Sequence, residues 1–206
     1  MLRKVIFLIA ILAIPAAIFV FLKIFGNNQF EVPMYYQDEG FNQSECEDIV
    51  TPYSINGRLR EVGALEIFEG ADVLHVFVFI GYKEDAQQQD EKLYNLLRIS
   101  DALGEKLQSL VIAYSETDSV NNLDKFIVNG ANDEFLKIHH TDKKADFNCA
   151  FLLQEGLKLV EEETENIWNL MVLTDASGII RGYYNALSRE DTDRLIVESK
   201  ILVKMN

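Results

Sequence analysis

The chain is poor in the residues that most site chemistry needs. It has two cysteines, Cys46 and Cys149, with none between them, and three histidines, none after His140. Neither cysteine has a histidine at motif spacing, which argues against either acting alone as a catalytic nucleophile. The three prolines, Pro15, Pro33 and Pro52, all fall in the first quarter of the chain. Acidic residues are missing from the start: no Asp or Glu precedes Glu31. Basic residues are scarce, 19 against 33 acids, for a net charge of −14. Because Arg3, Lys4 and Lys23 belong to the apolar N-terminus, the body is more acidic still. It repels phosphate backbones, which excludes a nucleic-acid partner.

What the N-terminus has instead is an uninterrupted apolar run from Val5 to Leu22, continuing past Lys23 to Phe25. A helix rises 1.5 Å per residue, so about 20 residues cross a hydrocarbon core of roughly 30 Å. Arg3 and Lys4 precede the run and stay cytoplasmic by the positive-inside rule. Its small residues, Ala13, Ala16 and Ala17, lie mid-span and are followed by more apolar sequence, unlike a signal-peptide cleavage site. We expect an uncleaved single-pass anchor (residues 1–26, with 5–25 in the bilayer) and a body outside the cytoplasm, periplasmic in a bacterium with two membranes. Residues 27–57 are polar and turn-rich and read as a stalk. Residues 58–206 read as the domain, and the whole chain has the 49 % hydrophobic content and 25 % charge of a globular protein.

The domain is organised around Val73–Leu97. Val73–Ile80 is a β-branched and aromatic block with too few polar residues for a half-wet surface, which suits a strand buried on both faces. Gly81 ends it, and Leu93, Leu96, Leu97, Ser100 and Leu103 recur at helical spacing. Further strands are expected at Leu107–Tyr114, Glu134–His139, Trp168–Leu173 and Ile179–Tyr184, with an edge strand or hairpin in Leu59–Phe68. Helices are expected at Ser119–Val128, Asp142–Leu153 and from Ser188 onward. Asp175-Ala-Ser-Gly178 is a hairpin turn, and Ser188 with Asp191 is a weak capping box. The fold class is α/β: a central mixed sheet flanked by helices, with the hairpin as its antiparallel edge.

The segment Leu170-Met-Val-Leu-Thr-Asp-Ala-Ser-Gly-Ile-Ile-Arg-Gly-Tyr-Tyr184 resembles the Sco/SenC family, membrane-anchored proteins that help deliver copper to cytochrome oxidase. The resemblance covers roughly Leu59–Met205 and implies a thioredoxin-like sandwich. The family binds copper through a Cys-x-x-x-Cys turn after the central strand and a His before the C-terminal hairpin. Laying Phe77-Val-Phe-Ile-Gly-Tyr82 on that strand puts Tyr82 and Ala86 at the cysteine positions and places the His near Ile167 or Trp168. Cuprous copper prefers soft thiolates, for which a phenol and a methyl group are no substitute. Disulfide exchange needs an attacking thiolate with a resolving partner, absent from this turn. No metal or cofactor is expected.

Several residues keep two readings. Cys46 and Cys149 either form a disulfide closing a long loop, or are a stalk thiol and a core cysteine. His139-His140 with Asp142 and Asp146 is either a metal cluster or the polar end of a strand. Neighbours on a strand point to opposite faces, which favours the second. His75 reads as a hydrogen-bonded core histidine. Lys83-Glu84-Asp85 and Glu161, Glu162, Glu163 and Glu165 read as solvated, the latter run alternatively as a docking surface for a basic partner. Tyr82, Trp168, Tyr183 and Tyr184 either line the vacated site or pack ordinarily. The functional expectation is a non-enzymatic assembly partner that contacts another membrane or extracytoplasmic protein. The alternative is a thiol oxidoreductase or peroxidase using a non-standard cysteine, and a third reading is copper held by other ligands.

Overall fold

The computed structural model describes residues 13–21, 31–38, 46, 49–61, 73–81, 84–114, 136–141, 144–160, 164 and 166–205. The chain divides into two compact units, Met1–Glu31 and Val32–Asn206. In the first, residues 13–21 are helical. Among the described residues no helix is long and apolar enough to cross a membrane. Half of the expected span Val5–Leu22, residues 5–12 and 22, lies outside them.

The second unit is built on a five-stranded sheet with the order β3-β2-β1-β4-β5. Its strands are β1 (Leu74–Gly81), β2 (Leu107–Tyr114), β3 (Leu136–Thr141), β4 (Leu170–Thr174) and β5 (Ile180–Asn185). The first three run parallel, and β4 and β5 join antiparallel. The helices are α1 (Ile55–Glu61), α2 (Ala86–Leu103), α3 (Lys144–Phe151), α4 (Leu153–Leu157) and α5 (Arg189–Met205). Parallel crossovers on one side and an antiparallel hairpin on the other make this a thioredoxin-like α/β fold.

β1 is central and buried at every residue, as a sequence apolar but for His75 favours. Its alternate side chains serve two cores. Val76, Val78 and Ile80 meet Leu96 and Ile99 of α2 and Leu195 and Leu202 of α5. Phe77 and Phe79 face the other way, onto Ile55 and Leu59 of α1, Phe147 and Phe151 of α3, and Trp168. The ring centroids of Phe77 and Phe151 are 4.5 Å apart. The register of β4 and β5 skips one residue between Leu173–Gly182 and Thr174–Ile180, leaving Arg181 without a partner strand residue. That bulge lets Ile180 and Tyr183, three apart, face the same core.

Three expectations change. The described part of the segment read as a stalk, from Val32 onward, packs on the domain. Val32, Tyr53 and Ile55 are buried, Tyr35 N donates to Ile180 O at 3.0 Å, and Arg181 Nη2 donates to Val32 O at 2.8 Å. These apolar side chains lose less by covering the sheet than by standing in water. The expected edge strand begins inside helix α1, and residues 62–72 lie outside the described residues. The expected helix Asp142–Leu153 is two helices, because Leu152 takes a left-handed backbone at φ 50° while its side chain stays buried. Gly156 of α4 then lies against the Tyr183 ring, where a Cβ would come within 2.3 Å of ring carbon. The expected helix Ser119–Val128 lies outside the described residues.

Candidate functional site

The site-bearing element of the sequence, strand to turn to helix, runs from Gly81 at the end of β1 to Ala86 at the start of α2. Of the three positions that would carry metal ligands, Tyr82 lies outside the described residues. Ala86 is exposed on the first turn of α2, and Ile167 is half-buried in a 3₁₀ turn, Ile167–Asn169, just before β4.

The junction of these elements is occupied by a lysine. Lys92, on α2, is completely buried. Its Nζ donates to Phe79 O at 3.0 Å, to Trp168 O at 3.0 Å and to Glu84 Oε2 at 2.9 Å. An ammonium has three protons and no acceptor, so all three are used. Desolvation lowers the Lys92 pKa from its ordinary value, and the charge and hydrogen bond of Glu84 oppose that shift. A charge so enclosed survives only with partners of this kind.

The turn around it is tied down by further polar contacts. Gln89 Nε2 donates to Gly81 O at 2.7 Å, and Glu84 N donates to the same carbonyl at 3.1 Å. Glu84, expected to be solvated, is instead the lysine's counter-ion. The Trp168 ring sits edge-on to Phe79, with centroids 5.7 Å apart. The side chains named at this junction, Phe79, Glu84, Gln89, Lys92 and Trp168, include no thiol, hydroxyl or imidazole.

Lys92 was missed because the helical face was read from its leucines. The buried residues of α2 are Lys92, Asn95, Leu96, Ile99 and Leu103, whereas Leu93, Leu97 and Ser100 are only half-buried. The spacing 92-96-99-103 is as good a helical stripe as the leucine one, and a lysine on it was the available signal.

The remaining candidates are dispersed. Cys46 and Cys149 are joined in a disulfide with Cα atoms 5.5 Å apart. It fastens the segment before α1 to α3, and Tyr53 Oη donates to Ala150 O at 2.8 Å beside it. Tyr36, Tyr53 and Tyr183 cluster there, and burial pushes the Tyr36 phenol up to about 12. Of the expected aromatic lining, Tyr82 lies outside the described residues. Trp168, Tyr183 and Tyr184 are buried, and Tyr183 and Tyr184 belong to opposite cores. His75 is fully buried beside the Phe77 ring. The His139 ring packs 5.6 Å from Phe147, Asp146 is exposed and Asp142 lies outside the described residues. Among the described residues no three His, Cys, Asp or Glu side chains group as metal ligands do. Glu161, Glu162, Glu163 and Glu165 lie outside them.

Comparison with solved structures finds distant likenesses. It is similar to a SCO1/SenC family lipoprotein from Bacillus anthracis str. Ames, at 15% identity over 64% of this chain and 82% of that one, with a TM-score of 0.42. It is also similar to BsSco, a member of the Sco family of cytochrome c oxidase assembly proteins, at 13% identity over 66% of this chain and 82% of that one, with a TM-score of 0.44. No family model matches the sequence, and no curated protein does.

Proposed function

We propose that the chain is a Sco-like, membrane-anchored protein whose domain lies outside the cytoplasm and carries neither copper nor a redox pair at the strand-to-helix turn. It acts by binding, as a non-catalytic partner in assembling a membrane complex such as a respiratory oxidase. The observation that carries this reading is Lys92. A permanently placed ammonium, hydrogen-bonded to Trp168 O and Phe79 O, repels a cuprous ion and offers it no soft ligand. The anchor is supported by the length and flanking charges of Val5–Leu22.

Two measurements on the full chain test it. Titration with cuprous copper against a competing chelator should leave no stoichiometric metal on the protein, and an insulin-reduction assay should show no thiol-dependent turnover. Thiol turnover abolished by Cys149→Ser would establish the alternative, an oxidoreductase or peroxidase working through the Cys46–Cys149 pair. The placement of the domain is checked by protease added to intact cells with the outer barrier removed. Cleavage of the body while cytoplasmic markers survive is the expected result.

A further inference from the structure

Helix α5 turns Leu195, Ser199 and Leu202 into the domain and leaves Glu190, Asp193, Val197, Lys200 and Lys204 exposed on its outer side. Along that stripe the order is acidic, apolar, basic. The helix dipole favours acids in the first turn and a lysine in the last, which accounts for the charged ends. It does not account for Val197, 58 % exposed midway between them. Among the described residues Glu190, Lys200 and Lys204 have no ion pair, while Asp193 is paired with Arg98 of α2. α5 balances four acids with four bases, in a chain of net charge −14. Two copies of so acidic a protein therefore approach on this helix without like-charge repulsion.

Glu190 and Lys204 stand seven residues to either side of Val197, two helical turns and about 10 Å each way. Two such helices laid antiparallel about a twofold axis at Val197 bring each Glu190 level with the partner's Lys204. A parallel arrangement sets like charges against each other instead. Arg194 does not enter the contact, because its guanidinium turns inward to Tyr183 O and Asp191. We propose that the outer stripe of α5 is a self-association surface, on which a second copy of the chain packs antiparallel through Val197 between two Glu190–Lys204 ion pairs. The contact is isologous, as closed twofold pairing requires. One helix on another buries less than a standard interface, and exposed ion pairs add little, so the dimer is transient. It is independent of the chemistry at the strand-to-helix turn.

The test is cross-linking of the full chain in detergent micelles. Cys46 and Cys149 are bonded to each other, so Val197→Cys introduces the sole free thiol. A short bismaleimide should join two copies through it, whereas Tyr94→Cys, on α2 and 63 % exposed in the parent, should give at least tenfold less covalent dimer. Adding Lys204→Glu to Val197→Cys sets Glu190 against a second acid and should slow dimer formation about tenfold at dilution. Adding Glu190→Lys as well restores opposite charges across the axis and should bring the rate back to within about twofold of Val197→Cys alone. The double reversal opposes the helix dipole at both ends, so better folding cannot explain that recovery. Equal cross-linking at positions 94 and 197, or no recovery on double reversal, would overturn the proposal. So would a product formed in the membrane that contains another protein and no second copy.

Discussion

The Asp175 hairpin and the Lys92 junction are both places where the chain leaves the same sheet, yet opposite kinds of contact hold them. The hairpin is local. Asp175 Oδ1 accepts from Ser177 N at 3.0 Å and Ile179 N at 3.1 Å, and Gly178 supplies the left-handed φ of 76°, all within five residues. The junction is non-local, since its most distant acceptor, Trp168 O, is 76 residues from Lys92. A local turn carries its instructions in consecutive side chains. A non-local one exists only after the strands have paired.

If that contrast is right, breaking the junction should cost more than breaking the hairpin. Lys92→Ala removes the ammonium from Glu84 and from two buried carbonyls and opens a cavity, so a loss of about 3 to 5 kcal/mol is expected in urea unfolding. Lys92→Met, which fills the volume, should lose about 1 to 3 kcal/mol. A Met variant as stable as the parent would show that the junction is held by packing alone.

Gly178→Ala comes next. It strains a positive φ and sets a Cβ 2.5 Å from Asn56 Oδ1 and 2.8 Å from Ser54 Oγ. A loss of about 2 to 3 kcal/mol by thermal melting is expected. Part of it comes from displacing residues 54–56, so this turn is not purely local. Asp175→Ala should lose about 1 to 2 kcal/mol, as two backbone N–H groups lose their acceptor. Asp175→Asn keeps an oxygen in place and should lose less than half of that.

The smallest effect distinguishes the two sites by pH. Burial lowers the Lys92 pKa below the ordinary 10.5, with Glu84 opposing. Between the lowered folded value and 10.5 the unfolded chain binds more protons than the folded one, so stability rises with pH across that window. Below the folded value the full penalty for the buried charge is present. The difference in urea midpoint between the parent and Lys92→Met should therefore grow as pH increases toward 10.5. The tyrosines raised by burial, Tyr183 and Tyr184 among them, act equally in both proteins and cancel. A flat difference would mean that Lys92 exchanges protons as an exposed lysine does.

The same division separates what could be read early from what could not. β1 was legible because a run that is apolar but for His75 fits a strand covered on both sides. The capping pattern at Ser188 was legible too, and Asp191 N donates to Ser188 Oγ at 3.1 Å. There the structure adds a step, since the Asp191 carboxylate accepts from Asn185 N rather than closing a capping box. The leucine stripe of α2 placed a helix and misjudged its rotation by about one residue, which hid Lys92. Polar, turn-rich composition made 27–57 look like a stalk, because the few apolar residues that dock it, Val32, Tyr53 and Ile55, form no periodic pattern.

By itself the sequence determined the local matters: which segments extend or coil, where the hairpin turns, and that the turn after β1 holds no thiol. Those follow from side-chain periodicity and neighbouring backbone preferences. Only the tertiary structure decided that Lys92 lies at the parting of β1 and β4, that Glu84 neutralises it, and that Cys46 meets Cys149. Each joins residues far apart in the chain, and such contacts are set by how the sheet brings its edges together.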